Sequence, residues 1–575
     1  MTLRVELNKR FSSKVYPNIA DPNVQEMVHR GRDDFLKLYL GRCFPWVFNG
    51  HNLHPAGSTY YATHAPFNRE MTVGRFPLFR VGEINLPPIL KDVRKAGLRF
   101  AEITSWRKRV QLLRTISEVV EERFWLLVAA KQYETGQSLA EAVGETDEEV
   151  DFPLAVAMYL EELHGEKLSP SSSGSGQHNG KSYVPHGIFL NICPFNFPGA
   201  IPMDMACKAL AMGNAFIEKS SDKSSLCGYL VYESIKIAFE RMGIDHRGVV
   251  NYAPGGAEIV DRLLASPDIA GVSFTGSSEA LRQIKEKHRC VLRNGFVGKA
   301  PLRFGSEETS GVNIVVVWKD TDLAYAAKEC VKSFVGRSGQ KCSSARVIMV
   351  HEQAKDTFME HMKREVSNVR FGNVLEGADL GPVITMEAGE RILKTIVELT
   401  DSKVVSPQSY TKLTFEHSET MDAILPRILF AEKEVHESES LAVKLMNTEI
   451  FGPVTTMVSV PDMAAVKRLC KLSNFALTGS CFTEDMDVLI AMTRIIPAGN
   501  LYHNRKCTGA LVESECFGGL RSASSPSGIK GKAALALFGS MQTVSGFYGS
   551  SWSKEKRQEF VRRMEDELGV VFSKT

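Results

Sequence analysis

The run Gly339-Gln340-Lys341-Cys342-Ser343-Ser344 places a thiol in a short polar loop bearing a glycine, between two apolar segments. Most cysteines in folded proteins are buried and inert, packing as small hydrophobes. A cysteine in such a loop instead has the setting of a nucleophile, the thiolate being the reactive species. Upstream, Glu307-Glu308-Thr309-Ser310-Gly311 precedes the apolar run Val312 to Val317, so a carboxylate is offered at a turn where it could activate water. The two adjacent glutamates are rivals for that role on this evidence. Further on, Thr448-Glu449-Ile450-Phe451-Gly452-Pro453 couples a carboxylate with an aromatic ring. The turn Thr508-Gly509-Ala510 offers backbone N–H groups that can receive an anion, and Ser343 would add a hydroxyl.

The elements that must hold these groups alternate. From Gly187 the pattern runs apolar Ile188 to Ile192, helical Ala200 to Met212, apolar Ala215 to Ile217, helical Leu226 to Met242, then apolar Val249 to Tyr252 and Ile269 to Phe274. A second series predicts strand Val312 to Val317, helix Leu323 to Phe334, strand Arg346 to Val350 and helix Ala354 to Val366. Alternation of this kind predicts parallel, doubly wound α/β sheets, whose ligands sit beyond the carboxyl ends of the strands. The chain has 575 residues, more than one core usually serves, so two or more domains are expected. Its 69 basic and 67 acidic side chains nearly cancel, which removes the electrostatic case for nucleic acid as a partner. The longest apolar runs fall short of the ~18 residues of a membrane span. Eleven cysteines without a Cys-x-x-Cys pair point away from zinc, and the odd count points away from a secreted disulfide framework.

Six landmarks stand in order along the chain: Pro194-Phe195-Asn196-Phe197-Pro198, Lys219-Ser220-Ser221-Asp222, Phe274-Thr275-Gly276-Ser277, Glu308, Cys342, and Glu449 to Pro453. Together they resemble the aldehyde dehydrogenase superfamily over about Phe44 to Tyr548. Pro66-Phe67-Asn68, Pro194 to Phe197, Gln340 to Ser343 and Gly499 to Ala510 narrow the resemblance to its pyrroline-5-carboxylate (glutamate-semialdehyde) dehydrogenase branch. The fold so implied has a Rossmann-type NAD-binding domain (1–166 and 187–305), an α/β catalytic domain (306–520), and a small β oligomerisation element (167–186 and 535–552). A tail follows (553–575), its apolar stripe Phe560, Val561, Met564 and Leu568 expected to dock on the body. The connection Ser169 to Gly176 occupies the place of the family's projecting hairpin.

The resemblance also implies roles. Cys342 becomes the nucleophile, Asn196 with the Cys342 N–H the donors to the developing alkoxide, and Glu308 rather than Glu307 the general base. NAD would meet Ile192, Pro194 and Phe195, with Lys219 and Asp222 at the adenine ribose, Gly276 and Ser277 at the pyrophosphate, and Glu449 and Phe451 at the nicotinamide ribose. A carboxylate at Asp222 favours NAD over NADP, which carries a 2′-phosphate. Ser343, Gly509 and Ala510 would hold the substrate's α-carboxylate, Phe197 and Phe517 its aliphatic part, and Glu145 would lie near its ammonium group. The chain departs from the family at Ser310, Val312, Ser220, Leu281, Val512 to Cys516 and Ser522 to Gly531.

The expected activity is NAD-dependent oxidation of glutamate γ-semialdehyde to glutamate in proline breakdown, by a soluble homodimer or larger homo-oligomer. The alternatives are an aldehyde dehydrogenase of other substrate and a catalytically lapsed oligomeric relative. Met1 to Lys14 carries Arg4, Lys9, Arg10 and Lys14 against one Glu6, similar to a mitochondrial presequence. With the eukaryotic family resident there, the matrix is the expected compartment and the cytoplasm the other choice.

Overall fold

The computed structural model describes residues 16–57, 59–80, 82–165, 177–293, 303–407, 410–411, 425–524, 530–547, 552–568 and 570–572. Met1 to Lys14 and Ser169 to Gly176 therefore lie outside the described residues, as do 525–529 within the Ser522 to Gly531 segment.

Two seven-stranded sheets carry the molecule. The first runs, edge to edge, Arg303–Glu308, Ile269–Thr275, Ile188–Ile192, Ala215–Lys219, Val250–Tyr252, Trp46–Phe48, His51–Leu53. Its first five strands are parallel and its last two form an antiparallel margin. The inner strands Ile269–Thr275, Ile188–Ile192, Ala215–Lys219 and Val250–Tyr252 are almost wholly buried, as strands of a parallel sheet covered on both faces must be. Phe189, Phe216 and Tyr252 pack into the core beneath the helices Ala200–Ala211 and Ser225–Arg241, while Leu190, Ile217 and Val272 pack into the core on the opposite face. The second sheet runs Tyr410–Thr411, Arg427–Phe430, Val454–Val460, Ala345–His351, Asn313–Val317, Thr478–Phe482, Asn500–His503. All its neighbours are parallel except the first pair.

The predicted alternation matches these elements closely, with one displacement. Glu307 and Glu308 do not stand at a turn: they end the strand Arg303–Glu308, which belongs to the first sheet. A division at 305/306 would cut that strand, so the passage to the second sheet falls after Glu308. A polar segment was not legible as a strand, because its burial comes from the neighbouring strand and from Phe538 against Gly305 rather than from its own side chains.

A third sheet is set by Gly539–Phe547, Gln177–Pro185 and Val571–Phe572, the middle strand being Gln177–Pro185. The tail forms the helix Lys554–Leu568 before adding that last short strand. Phe560 meets Trp552 edge to face at 5.7 Å.

Beneath the helix Ala200–Ala211 lies a buried ion pair between neighbouring helices. Lys131, on Phe124–Thr135, donates to Glu149, on Leu139–Gly165, at 2.5 Å and to the Thr146 hydroxyl at 3.0 Å. The pair presses against Gly199, where a Cβ would lie 2.4 Å from the Glu149 carboxylate. Removing one partner leaves an uncompensated charge in the core. Glu149→Ala is expected to cost about 3–5 kcal/mol, read as a fall in the chemical denaturation midpoint, with Lys131→Met/Glu149→Leu recovering much of that loss.

Candidate active site

The catalytic candidates gather where the carboxyl ends of the two sheets face each other. Helix Leu323–Val335 ends in a one-turn segment, Gly336–Gly339, that delivers the chain to Cys342. Gly339 has φ +65°, and a Cβ there would come within 1.8 Å of the Gly452 carbonyl oxygen. No other residue permits that approach. Arg346 ties the same two segments, its guanidinium donating to the carbonyls of Gly339 at 2.6 Å, Lys341 at 3.1 Å and Gly452 at 2.8 Å. The Asn313 amide donates to the Cys342 carbonyl at 2.7 Å and the Ser344 carbonyl at 2.8 Å, and its oxygen accepts from Thr478 N at 2.9 Å. The nucleophile loop is thus fastened to the end of the strand Asn313–Val317. Neither Asn313 nor Arg346 was assigned a role from sequence; a buried amide and a buried guanidinium become meaningful only once the carbonyls they serve are placed.

Cys342 itself is part-buried. Burial, with the charges of Glu308 and Glu449, pushes its thiol up to about 12, against the pull of Lys530. The thiol form therefore predominates at neutral pH and sulfur attack requires a proton acceptor. Glu308 is that kind of group: 5% exposed, raised above the usual carboxylate range by burial, and with Oε1 lacking a hydrogen-bond partner among the described residues. Its neighbour is not. Successive strand residues face opposite ways, and Glu307 is spent on Lys285 at 2.7 Å. The structure thereby separates the two rivals.

Asn196 follows the strand Ile188–Ile192 and is 7% exposed. Among the described residues its side-chain amide donates to no protein acceptor, which leaves it available to an oxyanion. Phe195 meets Phe451 edge to face at 6.0 Å, so the loops bearing Asn196 and Glu449 are in contact. Glu449 Oε1 accepts from Gly311 N at 3.0 Å, and burial raises its carboxyl. The departures at Ser310 and Val312 are accommodated: Ser310 Oγ accepts from Ser278 N at 3.3 Å, and Val312 is 2% exposed in the second core.

On the first sheet, the Lys219 ammonium is buried, pushed down by burial, and makes no hydrogen bond or ion pair among the described residues. Asp222 pairs with Lys223 at 3.0 Å, so its charge is partly offset. Ser277 caps the helix Ser278–Arg293, accepting from Ala280 N at 3.2 Å, and Gly276 N donates to the Glu308 carbonyl at 3.2 Å. A free cation beyond one strand and an exposed helix N-terminus beyond another suit a dinucleotide diphosphate. Ile192 and Pro194 line the strand end between them.

Gly509 adopts φ +80°, and among the described residues the N–H groups of Gly509 and Ala510 donate to no protein acceptor. Ser343 is buried, and its carbonyl accepts from Thr478 Oγ1 at 3.2 Å and the Cys507 thiol at 3.3 Å. Phe517 lies 5.9 Å from the Lys530 ammonium, which also sits 4.7 Å over Phe152. Lys530 was missed because it comes at the end of the Ser522 to Gly531 segment that departs from the family. Part of that segment crosses the strand of the base, Thr309 N donating to the Ala523 carbonyl at 2.9 Å.

One expectation is corrected. Glu145 does not stand free for a substrate ammonium: it is 1% exposed and both oxygens are taken. Oε1 accepts from Gly199 N at 2.8 Å and Ala200 N at 3.3 Å, serving the first turn of Ala200–Ala211. Oε2 accepts from Gln137 at 2.8 Å and pairs with Arg337 at 3.0 Å. Helix N-termini attract carboxylates, and this one holds it.

The geometry brings a loop cysteine and a buried carboxyl group together at the cleft between two α/β sheets. The profile of the aldehyde dehydrogenase family matches residues 59–544, and the chain belongs to that family. It is 28% identical over 508 residues to a 1-pyrroline-5-carboxylate dehydrogenase of Staphylococcus epidermidis, covering 87% of this chain and 93% of that one. It is also 28% identical over 544 residues to 1-pyrroline-5-carboxylate dehydrogenase 2 of Bacillus subtilis, covering 94% and 99%. Among solved structures, 1-pyrroline-5-carboxylate dehydrogenase from Thermus with bound NAD superposes with a TM-score of 0.82 at 25% identity, covering 93% of this chain and 98% of that chain.

Gly339→Ala forces a Cβ into the Gly452 carbonyl and disfavours the left-handed backbone. It is expected to displace the Cys342 loop and to lower the rate of Cys342 alkylation at least tenfold while the first sheet still binds dinucleotide, measured by thiol labelling beside NAD fluorescence quenching.

Proposed function

We propose that the chain is an NAD-dependent dehydrogenase that oxidises L-glutamate γ-semialdehyde, the open form of 1-pyrroline-5-carboxylate, to L-glutamate. The observation that carries this reading is the conjunction of Cys342, a base-competent Glu308 and the unengaged N–H groups of Gly509 and Ala510 in one cleft. The names and lengths of the relatives, and the bound NAD of the Thermus enzyme, support it.

In this reading Sγ of Cys342 adds to the aldehyde carbon as Glu308 takes its proton. The Asn196 amide and the Cys342 N–H then hold the alkoxide, a contribution of about 3 kcal/mol per donor to the transition state. Lys219, Asp222, Gly276, Ser277, Glu449 and Phe451, with Ile192, Pro194 and Phe195 beside them, would hold NAD, which when bound supplies the acceptor for the hydride. Loss of hydride leaves a thioester on Cys342. Once Glu308 has returned its proton to solvent it deprotonates water, which attacks the thioester and releases acid and thiol. Ser343, Gly509 and Ala510 hold the α-carboxylate, and Phe197 and Phe517 flank the chain between. Glu145 supports the loop rather than the ammonium.

We also propose that the protein works as a homo-oligomer, at least a dimer. The sheet of Gly539–Phe547, Gln177–Pro185 and Val571–Phe572 exposes Val184 (44%) and Met541 (58%), and among the described residues the second sheet ends on Asn500–His503 with no further strand paired to it. Exposed apolar side chains and an open strand edge are complementary features for pairing between copies.

Hydrogen bonds to a charged group are worth about 1.5–3 kcal/mol each without being additive, so kcat/KM for glutamate semialdehyde should exceed that for propionaldehyde by roughly a hundredfold or more. Ala510→Pro removes one N–H donor and should erode this ratio more than it slows propionaldehyde. Equal efficiency on the two aldehydes in the parent protein would overturn the substrate while leaving the dehydrogenase chemistry standing.

A further inference from the structure

The segment that delivers the nucleophile contains an arginine held in an unfavourable backbone. Arg337 and Ser338 take consecutive left-handed conformations, φ 54° and 53°, which non-glycine residues adopt only when their surroundings compel it. The side chain explains the compulsion. Arg337 is 7% exposed, and its guanidinium lies 3.9 Å over the ring of Phe197. One nitrogen donates to the main-chain carbonyl of Asn196 and pairs with Glu145 at 3.0 Å; another donates to Gln137 Oε1 at 2.9 Å; the third approaches Glu141 at 3.4 Å. Glu141 is shared with Lys341, the residue before Cys342, at 2.8 Å. Although burial pushes the Glu141 carboxyl up, Lys341 and Arg337 together hold it at about 2, so it stays charged.

Resting on the dehydrogenase reading above, we propose that Arg337 is a positioning residue that fixes the Asn196 and Phe197 loop of the first sheet against the Cys342 loop of the second. Its fork spans the gap because Gln137, Glu141 and Glu145, on and just before the helix Leu139–Gly165, hold the guanidinium while it donates to the Asn196 carbonyl. The residue acts through Asn196: it holds that residue's carbonyl, and so sets where the free side-chain amide stands relative to the sulfur. A lysine would keep the charge between the glutamates without the planar fork that serves several acceptors at once. It would also lose the stack on Phe197.

The test is a cycle on the full-length protein with Arg337→Lys, Asn196→Ala and the double variant. Arg337→Lys is expected to lower kcat at least tenfold, with NAD affinity and the rate of Cys342 alkylation within threefold of the parent, since neither needs the oxyanion donor. If Arg337 acts through Asn196, the double variant is no slower than Asn196→Ala within about twofold. The inference is overturned if the parent oxidises aldehyde and Arg337→Lys keeps kcat within twofold, or if the two single effects multiply. A parent that oxidises no aldehyde at all would overturn the dehydrogenase reading instead.

Discussion

The structure depends on keeping a thiol and carboxylates in one desolvated space. Glu308 and Glu449 are both raised by burial, and their charges with the same burial raise Cys342. At neutral pH the Cys342 thiol keeps its proton, and burial lets both carboxyl groups hold a proton more readily than in water, so Glu308 and Glu449 are better acceptors than solvent-exposed carboxylates. Such a cavity needs walls from more than one element. The carboxyl ends of two parallel sheets supply them, and the Gly339–Gly452 contact, the Asn313 amide and the Arg346 guanidinium close the side where the loops would otherwise part.

Charge within these walls is compensated locally. Lys131 with Glu149, Lys208 with Asp204 and Arg337 with Glu145 are all almost fully buried pairs. Buried pairs of this sort contribute little net stability against an apolar core, yet breaking one is costly. Their effect is to specify arrangement. Lys131 with Glu149 and Arg337 with Glu145 join elements that a purely apolar core would allow to slide, Lys208 with Asp204 spans one turn of the helix Ala200–Ala211, and Arg337 also holds the Asn196 carbonyl, linking the loops of oxyanion donor and nucleophile. Lys530 adds a cation that Glu308 and Asp204 keep charged against the push of burial, and it draws both Glu308 and Cys342 down.

Legibility in the sequence followed the range of the interactions. The strands Ile188–Ile192 and Ala345–His351 stood out because their own residues are mostly apolar, and the helical stretches because they alternate regularly with such runs. Cys342 was legible from its loop, and family resemblance ordered the remaining landmarks. The strand Arg303–Glu308 was not legible, since Arg-Phe-Gly-Ser-Glu-Glu has no apolar alternation and becomes a strand only beside Ile269–Thr275. Arg337 was not singled out in the sequence; its partners Asn196, Gln137 and Glu145 lie far away in the chain and nothing local announces them. Glu145 was placed in the right neighbourhood and given the wrong partner, because a carboxylate near a substrate site and a carboxylate on a helix N-terminus look alike until the helix is positioned.

The central claim is that Glu308 resolves an acyl group carried by Cys342. Intact-mass analysis and peptide mapping of Glu308→Gln after incubation with glutamate semialdehyde and NAD tests it most directly. The account predicts one equivalent of NADH formed and a stoichiometric acyl adduct on the peptide bearing Cys342, persisting because the amide cannot take a proton from water. Steady turnover at the parent rate with no adduct, or an adduct on another cysteine such as the exposed Cys516, would contradict it.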